Sequence, residues 1–210
     1  MIDIRKLQIE LNSFHLKSQD ICLPKGGKVL LQAANNTGKS IFLLGLVGLI
    51  KTKTRDIYFK GLHCERKQWQ YHTGVYLDQS SLVPFLTPKE FFEMTGKLKG
   101  LSKIATNQES TMYANYFQLP MNDKKHINQL SLGTQKKIGL VATLLGNPEI
   151  ILWDEPFANL DEESATALVS IISNGLKDTL VLLTSPTEEL PYKSFDSRLT
   201  IENGWVKFAD

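Results

Sequence analysis

Apolar and polar positions alternate in blocks along this chain, and the period of the alternation changes from block to block. The run Lys28–Gln32 (Lys-Val-Leu-Leu-Gln) has the continuous apolar character of a buried strand, and it leads through the short loop 33–37 into a helix from Gly38 onward. Residues 57–59 and 74–77 are short strand candidates, each followed by turn chemistry or polar residues. From Thr87 the period becomes helical: Phe91, Phe92, Met94 and Leu98 recur between charged residues, and 113–119 continues in the same manner. Roughly 87–128 is therefore predicted to be a helical insertion. Beyond it the pattern predicts a mostly apolar helix over 138–145, a strand over 150–153, a helix over 164–176 and a buried strand over 179–184. Strands that alternate with helices in this way form a parallel sheet with helices on both faces, an α/β fold.

Composition narrows the class. The chain has 210 residues, 42% hydrophobic and 22% charged, which suits one globular domain or a domain carrying a small insertion. Its formal charge of +2 advertises neither nucleic acid nor an anionic membrane surface. Lys124, Lys125, His126, Lys136 and Lys137 accordingly read as solvated faces rather than nucleic-acid contacts. Cys22 and Cys64 are far apart and have no cysteine or histidine at metal-ligand spacing, so both read as free thiols in a reducing compartment. Charge interrupts the N-terminus within a few residues, unlike a secretion signal, and the longest apolar stretch, 41–50, is far short of the ~20 residues that cross a bilayer. A soluble, cytosolic protein is expected.

Two segments carry chemistry. Residues 33–40 read Ala-Ala-Asn-Asn-Thr-Gly-Lys-Ser, between a buried strand and a helix N-terminus. Such a loop gathers backbone N–H groups around phosphate oxygens and adds the positive end of the helix dipole. Lys39 would reach the β- and γ-phosphates, and the Ser40 hydroxyl would ligate magnesium. The strict pattern has glycine where this chain has Ala33. The second segment, Ile-Ile-Leu-Trp-Asp-Glu-Pro over 150–156, ends an apolar strand in two adjacent carboxylates. Asp154 can hold a magnesium ion and Glu155 can polarise a water.

Further short motifs follow the same order along the chain. Gln79 comes after a short apolar strand, Leu130-Ser131-Leu132-Gly133-Thr134-Gln135 precedes a helix, and Asn159-Leu160-Asp161 comes just after the acidic pair. On these residues the chain resembles, over nearly its whole length, the nucleotide-binding subunit of ATP-binding cassette (ABC) transporters, in an exporter-like subgroup. The resemblance implies a P-loop NTPase core whose mainly parallel sheet is flanked by helices, with a small N-terminal antiparallel β part and a helical insertion subdomain. It implies a single ABC-type ATPase domain over 1–210, with 1–86 and 129–210 as nucleotide-binding core and 87–128 as insertion.

The implied ligands are ATP and Mg2+. Asn35, Asn36, Thr37, Gly38, Lys39 and Ser40 would form the phosphate loop, and Ser40, Gln79 and Asp154 would surround the magnesium. Glu155 would be the catalytic glutamate, and 158–161 the dimer-contact loop. Ser131 and Gly133, ahead of a helix, would cover the ATP held by a second ABC subunit, in a homodimer or a heterodimer. An integral membrane permease would dock near Leu82, Val83, Pro84, Phe85 and Leu86, a run that could equally pack beneath the insertion. The subunit would then sit in the cytoplasm, peripheral on the inner face of the membrane.

Some positions depart from the family pattern. Leu132 and Thr134 stand where the common signature has glycine and glutamine. Ser185, followed by Pro186, stands where the family usually places a histidine that contacts the γ-phosphate, and slow hydrolysis is the expected consequence. Phe14 is the nearest candidate to stack on adenine, with a place in the core as its other reading. The leading function is ATP hydrolysis that drives a separate permease; the alternative is an ATP-dependent switch or force-transmitting clamp. A chromosome-type ATPase is disfavoured, because no long heptad segment and no basic surplus is present.

Overall fold

The computed structural model describes residues 1–64, 67–121, 124–187 and 189–209. Its first two strands, β1 (Ile2–Leu11) and β2 (Phe14–Leu23), form an antiparallel hairpin with Ile4 opposite Ile21 and Ile9 opposite Leu16. β1 buries Ile2 and Ile4, then Leu7 and Ile9, so its alternation changes phase at Arg5. There its pairing with β4 (Thr54–Phe59) shifts register between Ile4 and Lys6. Such a bulge is what keeps both apolar pairs on one face of the strand.

β3 (Lys28–Gln32) leads into α1 (Lys39–Val47), and β5 (Leu62–His63) and β6 (Thr73–Tyr76) follow β4. The predicted insertion contains α2 (Pro88–Leu98) and α3 (Lys103–Tyr116), while its residues 122 and 123 lie outside the described ones. A capping box starts α2: the Thr87 side chain accepts from the Glu90 N–H, and Glu90 accepts from the Thr87 N–H at 2.8 Å. Next come α4 (Leu132–Leu144), β7 (Ile150–Trp153), α5 (Glu162–Ser170) and β8 (Leu180–Ser185). The helix expected over 164–176 is α5 followed by a π-helical stretch, Ile171–Gly175. α4 starts six positions before the predicted 138, because the Ser131 side chain caps it and makes the polar turn after Ser131 helical. The chain closes with β9 (Ser197–Glu202) and β10 (Trp205–Phe208), joined at Asn203-Gly204, both with positive φ.

Among the described residues the strands form one sheet in the order β5-β4-β1-β2-β10-β9-β3-β8-β7-β6. β9, β3, β8, β7 and β6 run parallel to one another, while β10 pairs antiparallel with β9 and parallel with β2. The central strands are buried on both sides: Val29, Leu31, Ile150, Leu152, Leu180 and Leu182 face the core under α1. Leu30, Ile151, Trp153, Val181 and Leu183 face the core shared with α4, α5 and the two insertion helices. The parallel strands flanked by helices are what the alternation of blocks predicts, and the antiparallel β1, β2 and β4 are the N-terminal β part that the resemblance implies. Because the central strands are parallel and in register (Gln32 with Ser185, Leu183 with Trp153, Trp153 with Tyr76), their C-terminal ends lie side by side. Loops that leave this edge converge, and open α/β sheets bind ligands there.

Candidate functional site

The loop that leaves β3 turns at Asn36 and Gly38, with φ of 62° and 108°. Asn36 tolerates the left-handed region better than most side chains. Gly38 has no substitute, since a Cβ there would lie 2.4 Å from the Phe14 ring. Ala33 adopts no positive φ, so glycine's freedom is not required at the position where the strict pattern has it. Gly38 caps α1 with no side-chain hydrogen bond, which leaves the first-turn N–H groups of the helix to an incoming acceptor. Thr37 braces the loop by donating to the Ala34 carbonyl at 2.8 Å.

Lys39 is 5% exposed, and its ammonium donates to the carbonyls of Ala33 and Ala34 at 3.0 and 3.1 Å. It also lies 3.4 Å from a carboxylate oxygen of Glu155. One residue on, the Ser40 hydroxyl donates to Oδ2 of Asp154. The phosphate loop and the acidic pair, more than a hundred positions apart in sequence, therefore meet at two adjacent contacts. Ser40, Asp154 and Glu155 line one cleft of about 650 Å³ together with Gln79, Lys136, Ala158 and Asn159. Gln79 starts a short 3-10 turn that is fixed by Asp78, whose carboxylate accepts from the Ser80 N–H at 2.7 Å.

The sequence reading missed a residue that organises this cleft. Thr184, fully buried near the end of β8, donates through its hydroxyl to Oδ1 of Asp154 and accepts from the backbone N–H of Glu155 at 2.9 Å. One hydroxyl thus fixes both members of the acidic pair. The available signal was a threonine closing an otherwise apolar strand, one position from the end of the parallel sheet. Glu155 itself has φ 43°, a left-handed conformation that costs a side-chain-bearing residue roughly 1–3 kcal/mol unless its surroundings enforce it.

The expectation that Lys136 and Lys137 form a solvated face is corrected. Lys136 is 6% exposed and donates to the carbonyls of Glu155 and Ala158, each at 2.7 Å. Burial pulls its pKa below the ordinary lysine value, while the Glu155 and Asp154 carboxylates pull it back up. Lys137 pairs with Asp161 at 2.7 Å. That bond, with further hydrogen bonds from Ser164, holds the Asp161 carboxyl below the usual carboxylate range and fixes it as the N-cap of α5.

Other expected site residues fall elsewhere. Ser131 stands directly ahead of α4 as its N-cap, accepting from the Thr134 N–H at 3.2 Å, whereas Gly133 lies inside the helix's first turn. Leu132 beside them is 64% exposed. Ser185 is buried and absent from the cleft lining, with its hydroxyl donating to the Thr187 carbonyl at 2.8 Å and accepting the Thr187 N–H at 3.1 Å. Phe14 is partly buried, packs on the core and reaches over Gly38, so it belongs to the core and also touches the phosphate loop. The run 82–86 divides: Leu82 is buried, Val83 and Leu86 pack on the core, and Phe85 projects into solvent. Among the described residues no cluster of three or more His, Cys, Asp or Glu could hold a metal, and no helix is long and apolar enough to cross a membrane. Cys22 and Cys64 are free thiols, the first exposed and the second buried.

Known proteins share this fold. A solved ATP-binding subunit of an ABC transporter superposes with a TM-score of 0.87 at 22% identity, covering 99% of this chain and 88% of its own. A dimeric bacterial ABC transporter cassette, MJ0796, gives 0.81 at 20% identity, covering 99% and 97%. In sequence, the putative hemin import ATP-binding protein HrtA of Staphylococcus saprophyticus is 30% identical over 168 residues, 77% of this chain and 76% of that protein. Residues 16–158 match the family described as ABC transporter, and the chain belongs to that family as an ATP-binding subunit.

Proposed function

We propose that this subunit binds and hydrolyses ATP, dimerises on ATP with a second cassette, and thereby drives a separate membrane permease. One observation carries the reading: the uncapped N-terminus of α1 and the acidic pair after β7 open onto one cleft, with Ser40 bonded to Asp154 and Lys39 beside Glu155. The cleft's volume is in the range of small-molecule sites. Its hard oxygen donors, the Ser40 hydroxyl, the Asp154 carboxylate and the Gln79 amide, suit magnesium, which is usually held by few protein ligands plus substrate phosphates. When bound, the ion would neutralise charge that develops on the phosphates.

The chain's own residues take the following parts. Asn35, Asn36, Thr37 and Gly38 present backbone N–H groups to the phosphates, and Lys39 moves its ammonium from the loop carbonyls to the γ-phosphate oxygens. Glu155 orients a water or takes its proton, held in place by Thr184. Ser131 and Gly133 of one subunit cover the nucleotide of the other, and Phe14 flanks the loop on the side of Gly38. The permease would meet the exposed Phe85, with Leu82 and Leu86 as its footing. We read 1–86 and 129–210 as the nucleotide-binding core and 87–128 as a subdomain carrying the dock. Through that permease the subunit would lie on the cytoplasmic face of the membrane.

The bonding of Ser185 favours slow turnover and keeps the switch reading in view. Its hydroxyl hydrogen is committed to Thr187, so Ser185 itself offers no free donor in place of the family's histidine. The purified protein is expected to turn over ATP well below roughly 1–10 per second, and Glu155→Gln to hydrolyse almost none while accumulating as an ATP-bound dimer. If Glu155→Gln hydrolyses as fast as wild type, the assignment fails. Loss of activity with no membrane protein co-purifying would favour the switch.

A further inference from the structure

We infer that Lys136 is a positioning residue for Glu155, tying the backbone of the catalytic glutamate to the helix that begins at Ser131. The inference rests on the reading of Glu155 as the base. Three observations meet at this amine. Glu155 holds a left-handed φ of 43°, which a glutamate keeps only where its neighbours impose it. Its carbonyl and that of Ala158 both point at the Lys136 ammonium, 2.7 Å away, so a single donor pins the turn at both ends. The amine is buried, yet the residue lines the same cleft as Ser40 and Asp154.

A buried ammonium must find acceptors, and which acceptors it finds decides what it holds in place. This one is committed to two carbonyls of the turn that aims the Glu155 side chain. Thr184 holds the same residue by its N–H, from the opposite strand edge. Lys136 therefore completes a two-sided grip on the Glu155 peptide, one side from β8 and one from α4. Because α4 also presents Ser131 to a second subunit in the proposed dimer, a shift of that helix is transmitted to Glu155 of its own chain through this bond.

The test is a kinetic cycle on the full chain with Lys136→Met, Glu155→Gln and the double variant, with binding of a fluorescent ATP analogue and ATP-dependent dimerisation read alongside. Lys136→Met is expected to lower kcat on the order of 100-fold, the cost of displacing a reacting group by about 1 Å, with KM and analogue affinity within about twofold of wild type. In the Glu155→Gln background the same change is expected to cost nothing further, since it acts through Glu155. A Lys136→Met rate within about twofold of wild type overturns the inference, as does an equal loss in both backgrounds. Lys136→Arg, which keeps charged donors, is expected to recover at least about tenfold of the loss at unchanged KM, and stays decisive if the methionine variant does not fold. No recovery in a folded arginine variant also overturns it. Wild-type rates from Glu155→Gln alone would instead sink the underlying reading.

Discussion

The two helices that frame the cleft are finished in opposite ways. α1 has glycine at both ends: Gly38 leaves its first N–H groups without a side-chain cap, and Gly48, with φ 75°, ends it by backbone bonds to Leu44 and Gly45. α4 is closed by side chains: Ser131 caps its N-terminus, and the Lys99 ammonium donates to the Leu145 carbonyl at 2.8 Å and the Thr143 carbonyl at 3.4 Å at its other end. An uncapped N-terminus is a ready anion site within its own chain. A capped one has already used its oxygen, and it offers Ser131 and the exposed Leu132 outward rather than an open nest. The difference fits the tasks we propose for the two helices, α1 to hold a nucleotide and α4 to be presented to a partner.

The largest effect should come from breaking each helix's task in turn and then mixing the results. Lys39→Ala is expected to lose ATP binding as well as turnover, while Ser131→Ala keeps ATP binding by the monomer and loses about 100-fold or more in turnover. An equal mixture of the two inactive proteins should recover roughly a quarter of wild-type turnover, because half of the dimers are mixed and each of these has one intact site of two. ATPase assays on titrated mixtures measure this. A mixture as inactive as its components would refute the head-to-tail arrangement and place both helices at one site.

A smaller effect sharpens the picture of α1, whose open end depends on acids held in place by other elements. Thr184→Val keeps the shape of the side chain but strips Asp154 of a donor and the Glu155 N–H of its acceptor. The expected cost is about 1–3 kcal/mol in stability for the buried groups left unpaired, with turnover down roughly tenfold. Thr184→Ser should restore most of both, since it returns the hydroxyl. Denaturant melts and steady-state kinetics on the two variants decide it, and a valine variant as active as wild type would remove Thr184 from the site.

Why Thr184 escaped the sequence while Lys39 did not is a matter of range. Lys39 and Ser40 are legible because strand, loop and helix N-terminus follow one another within a dozen positions, and the motif is local. Thr184 matters only because β8 lies beside β7, a pairing between strands some thirty positions apart. Lys136 misled for a related reason: two adjacent lysines read as solvated, but one turns inward to carbonyls contributed from beyond β7. In the fold, β7 stands out as a fully buried apolar run and β3 as one buried up to Gln32. β1 was obscured because its alternation slips at Arg5, which disguises a period of two. The β9–β10 hairpin carries a strong local signal, Asn203-Gly204 with φ 48° and 76°, which a search for alternating parallel strands and helices passes over.

The smallest effect concerns the far end of α4 and is read through pH. Lys99 bonds to the carbonyls there, where a cation suits the helix dipole, yet burial lowers its pKa to about 8 against the small upward pull of Glu109. In the unfolded chain this lysine titrates near the ordinary value of about 10.4. Between these two values the unfolded state binds more protons than the folded one, so Lys99 makes the protein gain stability as pH rises from about 8 to about 10.4. Below about 8 both states are charged and its contribution is flat, at the full cost of burying the ammonium. Lys99→Met removes the titrating group, so the Tm of wild type minus that of the variant should rise between pH 7.5 and pH 10. A difference that stays constant over this window would mean that the ammonium is solvated, and that α4 is not closed by a half-buried cation after all.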